Sequence, residues 1–134
     1  MQRRNFITGT AAAALASGIL SKTVIDEIAP AKQFYNHYLL FWLKKDLTAQ
    51  EVANFPQFFE ELGKLPYLKS IHYGGPANSS PRKVLDNSFS YNVVMTFDSL
   101  EDLETYGKLP KHLEIVKKYS VYWDKMQVHD SVLK

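Results

Sequence analysis

The chain has 134 residues, of which 46% are hydrophobic and 13% aromatic, enough apolar mass for one globular domain with a single core. Its formal net charge is +2, with lysines scattered among carboxylates, so there is no basic stripe to track nucleic acid and that partner class is excluded. The absence of cysteine excludes disulfides, thiolate catalysis, lipoprotein acylation and cysteine-ligated zinc or iron–sulfur clusters, leaving packing alone to hold the fold.

Residues 1–31 differ in composition from the rest. Gln2, Arg3, Arg4 and Asn5 precede Phe6 and a mild Ala/Gly/Thr/Leu run from Ile7 to Leu20. This charged, then apolar, then polar order, opened by paired arginines, is similar to a twin-arginine export signal. A membrane anchor needs roughly 20 strongly apolar residues, and this run is shorter and softer. Ala29, Pro30 and Ala31 offer an A-x-A cleavage site, so the expected mature chain starts near Lys32, exported to the periplasm with no membrane attachment once the signal is removed. The plainer alternative is an amphipathic or disordered tail.

His37 to Lys44 is a continuous aromatic-rich apolar stretch of strand length, with His37, Leu39, Phe41 and Leu43 on one face and Tyr38, Leu40 and Trp42 on the other. Thr48 and Glu51 form a capping box that opens a helix. Val52, Phe55, Phe59, Leu62 and Leu65 follow at helical spacing, and Gly63 suits a stop. Pro56 interrupts this run, and a kink or a restart capped by Asn54 is expected. Leu68 to Gly74 reads as a second, edge-like strand, and residues 75–88 as a long loop of the kind that forms a functional flap.

Phe89 to Phe97 gives a third strand, with Tyr91, Val93, Met95 and Phe97 on one side and Asn92, Val94 and Thr96 on the other. Ser99 with Asp102 caps a helix that stops near Gly107, Pro110 starts another short helix through Lys118, and Val121 to Asp130 is the last strand. Trp42 and Trp123 read as core residues, and Lys44 and Lys45 as a solvated strand end.

The order β-α-β-β-α-β is that of an α+β, ferredoxin-like domain, an antiparallel sheet with its helices on one face. Its first and third strands sit centrally and are apolar on both sides, so the uncovered face needs a partner. A sheet-to-sheet homodimer is the simplest solution.

Several pieces resemble the stress-responsive A/B barrel (Dabb) family of dimeric α+β barrels. They are His37 opening a strand that ends in Lys44, the Leu65-Pro66 step, Thr96-Phe97-Asp98-Ser99, the run from Tyr106 through Pro110 to His112, and Asp130 closing the last strand. The resemblance spans about residues 36–131 and implies a dimeric barrel with a pocket. It is similar in particular to plant polyketide cyclases, in which a Tyr and a His matching Tyr106 and His112 line the pocket together with a His matching His37. Another cyclase histidine falls where this chain has Tyr91, a departure that puts an identical reaction in doubt.

Tyr106 and His112 would point about 240° apart on an unbroken helix, but the break from Gly107 to Pro110 allows both to face one cavity. A His can then serve as general base and a Tyr hydroxyl can hold an enolate oxygen, with His37, Tyr91, Phe41 and Met95 lining the pocket. The expected face-to-face dimer puts His37 and Tyr91 on the partner-facing side of the sheet. His72 and His129 lack metal-ligand spacing, so no metal is expected, and no cofactor is implied. The expected ligand is a small apolar or aromatic molecule, with cyclase- or isomerase-like chemistry. The alternatives are a non-enzymatic stress or interaction protein whose apolar face serves only dimerisation, and an oxygenase resembling antibiotic monooxygenases.

Overall fold

A computed structural model describes residues 32–134, and the expected export signal lies outside them. The strands are β1 (Phe34–Leu43), β2 (Ser70–Gly74), β3 (Tyr91–Phe97) and β4 (Trp123–Leu133). The helices are α1 (Ala49–Asn54), α2 (Gln57–Gly63), α3 (Leu100–Lys108) and α4 (Pro110–Tyr119), with a short 3₁₀ turn at Ser120–Tyr122. The sheet order is β2-β3-β1-β4 and its pairings are antiparallel, a ferredoxin-like α+β layout with β1 and β3 at the centre as expected.

The chemistry of each cap sets its helix. Thr48 Oγ1 accepts from the Glu51 amide while Glu51 Oε2 accepts from the Thr48 amide, completing the capping box. At Pro56 the chain breaks into two helices because proline has no amide hydrogen to continue the ladder. Pro56 itself, not Asn54, occupies the N-cap of α2; the Asn54 side chain accepts instead from Gln50 Nε2 at 2.9 Å. Ser99 caps α3 through the Asp102 amide, and Leu109, at ψ 130°, turns the chain out of the helix before Pro110 opens α4.

Several strand boundaries differ from the sequence reading: β1 starts three residues earlier, at Phe34, and β2 and β4 each start two later, at Ser70 and Trp123. β3 begins at Tyr91 rather than Phe89, because Ser90 is spent tying the loop to β1: its amide donates to Phe41 O and its hydroxyl accepts from the Leu43 amide. β4 runs to Leu133, paired along nearly the whole of β1. The loop of residues 75–90 is further fastened by Trp42 Nε1 donating to Ser88 Oγ and Asn87 Nδ2 donating to Ala77 O.

Register fixes the faces, since residues opposite one another across antiparallel strands share a side. Tyr35, His37, Leu39 and Phe41 of β1 pair with Phe97, Met95, Val93 and Tyr91 of β3, and all of these lie on the helix-covered side. His37 and Tyr91 therefore do not share the uncovered face, contrary to the sequence reading. The uncovered side carries Asn36, Tyr38, Leu40 and Trp42 with Thr96, Val94 and Asn92, flanked by exposed His72 and His129. Trp42 belongs to that face rather than the core, with Lys125 Nζ over its ring.

On the covered side the core is aromatic. Phe41, Phe55, Phe58, Phe59 and Phe97 are almost fully buried, and Phe41 meets Phe55, Phe58 and Trp123 edge-on at 5.0–5.8 Å. Such pairs each add about 0.5–1.5 kcal/mol to the gain from burial. Gly63 ends α2 where an added Cβ would lie 3.1 Å from Ile71 Cγ2, so the helix reaches β2 closely only without a side chain there.

Candidate functional site

Between the sheet and the helices lies a cavity of about 220 Å³. β1 contributes His37 and Leu39, α2 Phe58 and Leu62, β3 Met95, α4 His112 and Val116, and β4 Met126 and Val128. Each strand residue arrives through the register, as Met95 and Asp130 flank His37 while Val93 and Val128 flank Leu39. His112 and Val116 are four apart on α4 and so project from one helix face. Among the described residues, the two imidazoles are the only polar side chains in this lining.

Both rings are held by their Nδ1 atoms. His112 Nδ1 stands 3.1 Å from Gly107 O, and because a carbonyl can only accept, Nδ1 carries the proton. In neutral His112 this leaves the Nε2 lone pair as the basic atom. Burial holds the imidazole below its usual pKa, the neighbouring His37 adds to that, and the Gly107 bond opposes it, so the neutral form is favoured. The acceptor exists because α3 and α4 are broken at Leu109, which leaves Gly107 O facing His112.

His37 Nδ1 meets Asp130 Oδ1 at 2.5 Å across the β1–β4 pair. The carboxylate fixes the ring's orientation and can balance positive charge taken up with a proton, leaving Nε2 for a ligand.

The other residues expected at the site stand behind it. Tyr106 is buried, its ring centroid 5.0 Å from that of His112, and its hydroxyl donates to Leu62 O at 2.9 Å. Burial pushes that phenol's pKa well above its ordinary value. Tyr106 thus seats His112, and its proton is already engaged. Phe41 lies in the aromatic core, and Tyr91 packs on Phe55 and Phe59 with its hydroxyl 3.4 Å from Val52 O; neither lines the cavity. His37, Met95 and His112 do. The sequence reading missed Leu39, Phe58, Leu62, Val116, Met126 and Val128 as liners and Asp130 as partner to His37. The alternation of Met126, Val128 and Asp130 in the last strand was the available signal. Among the described residues no group of three His, Asp or Glu is arranged to hold a metal ion.

The sequence profile of the stress responsive A/B barrel domain matches residues 35–133. The chain belongs to this family. Olivetolic acid cyclase of Cannabis sativa is 23% identical over 95 residues, covering 70% of this chain and 91% of the cyclase. Among solved structures, the hydroxynitrile lyase of Passiflora edulis superposes with a TM-score of 0.65 at 19% identity, over 78% of this chain and 96% of the lyase. A dimeric ferredoxin-like protein of unknown function from Thermobifida fusca gives a TM-score of 0.61 at 16% identity, over 79% of this chain and 96% of its own. At these identities the structural likeness establishes the ferredoxin-like fold and leaves chemistry to the cavity.

Proposed function

We propose that this Dabb protein is an exported homodimer that binds a small apolar or aromatic molecule between sheet and helices and performs acid–base chemistry on it. The observation that carries this reading is an apolar cavity whose polar lining consists of two imidazoles, each tied at Nδ1. In the proposed reaction His112 Nε2 removes a proton next to a carbonyl. His37, backed by Asp130, donates a hydrogen bond or a proton to the oxygen that becomes negative. Cyclase- and isomerase-like steps both fit this pairing. The names of the related cyclase and lyase are consistent with it, and the dimeric description of solved neighbours supports the homodimer.

Native mass spectrometry of the protein from its own host tests the whole reading, since it reports dimer mass, processing after Ala31 and any retained small molecule together. His112→Ala is expected to lose the retained molecule while the melting temperature moves by less than about 2 °C. A monomer with intact Met1, or a variant that melts several degrees lower, would overturn the corresponding part. The non-enzymatic alternative predicts no retained molecule in either protein.

A further inference from the structure

The cavity's charge and size narrow its occupant further than the presence of a base does. Among the described residues no lysine or arginine lines it, so none of them offers a fixed positive charge to a carboxylate, phosphate or thioester-linked nucleotide. The carboxylate paired with the lining residue His37 pushes the other way. Asp130 Oδ1 lies 2.5 Å from His37, so with Asp130 ionised this pair is neutral or negative. His112 is favoured as a neutral ring by the surrounding apolar groups. A ligand anion would therefore leave water for an apolar site with a carboxylate beside it, a double cost.

Size acts in the same direction. An apolar cavity of about 150 Å³ accepts benzene, and this one, at about 220 Å³, has room for one ring and a short substituent. The polar part of that substituent has to meet two imidazole edges, and on the acid–base reading above a carbonyl oxygen accepts from His37 Nε2 while its acidic neighbouring C–H faces the His112 Nε2 lone pair.

We propose that the occupant is an uncharged carbonyl compound built on a single ring, taken into the cavity between His37 and His112. This rests on the reading of the cavity as an acid–base site, and adds to it a discrimination against acids and against fused rings.

The test uses the full chain labelled with ¹³C at its methionine methyls, because Met95 and Met126 line the cavity. Acetophenone, benzoate and 9-acetylanthracene are titrated at pH 8. The expected result is saturable movement of the Met95 and Met126 signals by acetophenone, with benzoate at least about tenfold weaker and the fused-ring ketone without effect. Asp130→Asn is expected to narrow the gap between acetophenone and benzoate by several-fold. Benzoate binding as tightly as acetophenone, an equal response to the fused-ring ketone, or an unchanged preference in Asp130→Asn would each overturn this proposal while leaving the cavity a binding site. If no probe moves either signal, the binding reading fails with it.

Discussion

His112 and Tyr106 are adjacent rings whose protonation pulls stability in opposite directions with pH. For His112 the folded state disfavours the imidazolium relative to the unfolded chain, where the usual pKa is about 6.5. Its contribution is therefore fully present above that value and lost as the pH falls through the lower folded value. Replacing His112 with Gln is expected to flatten the acid limb of the stability curve below about pH 6.5, checked by thermal melts from pH 4 to 8. Tyr106 has the reverse sign. Its folded phenol resists ionisation, so its contribution holds below about pH 10 and is lost as the pH rises toward the higher folded value. Tyr106→Phe would leave Leu62 O without its donor and is expected to cost about 1–2 kcal/mol by urea unfolding at pH 7. The same variant should lose the alkaline sensitivity. The residues at this site were partly legible: His37, His112 and Met95 stand in the lining. The His37–Asp130 contact was not, because it joins positions 93 apart, and only the register of β1 on β4 brings them together.

Helix starts were the most readable elements, since a cap is a local bargain among four residues. Thr48 with Glu51 and Ser99 with Asp102 both make the bonds their spacing suggests. Thr48→Ala is expected to cost about 1 kcal/mol, measured by chemical denaturation, with the loss concentrated in α1. Asn54 does not cap the restart, because its Oδ1 accepts from Gln50 Nε2 one turn back, and Pro56 takes the N-cap with no side-chain bond. Phe89 looked like strand but lies outside β3, since the hydroxyl and amide of Ser90 take up the β1 backbone groups that a ladder would have used. Composition does not encode that competition.

At the scale of the whole domain, alternation along β1 and β3 was enough to predict a sheet with two apolar sides. It could not say which side the helices would choose. The helices took the side bearing His37 and Tyr91, which places the cavity away from the uncovered face, so the proposed binding and the proposed association use opposite sides of the sheet. The two can therefore be broken independently. Leu40→Glu, on the uncovered face, is expected to halve the mass seen in native mass spectrometry while the methionine signals still respond to acetophenone. Phe41→Ala, in contrast, removes a ring at the centre of the aromatic core and is expected to cost about 3–5 kcal/mol.

β4 occupies the end of the sheet order and is exposed at every residue from Asp124 to Leu133, yet it supplies Met126 and Val128 to the cavity and Asp130 to His37. Within the sheet it hydrogen-bonds to β1 alone. Its long ladder to β1 holds one edge of this wall, while its other edge has no strand beside it among the described residues. A brief detachment of its second half would open a way in and, in the same motion, release the carboxylate that orients His37. Guest entry and disarming of the site would then be one event, and amide exchange along β4 would report its frequency.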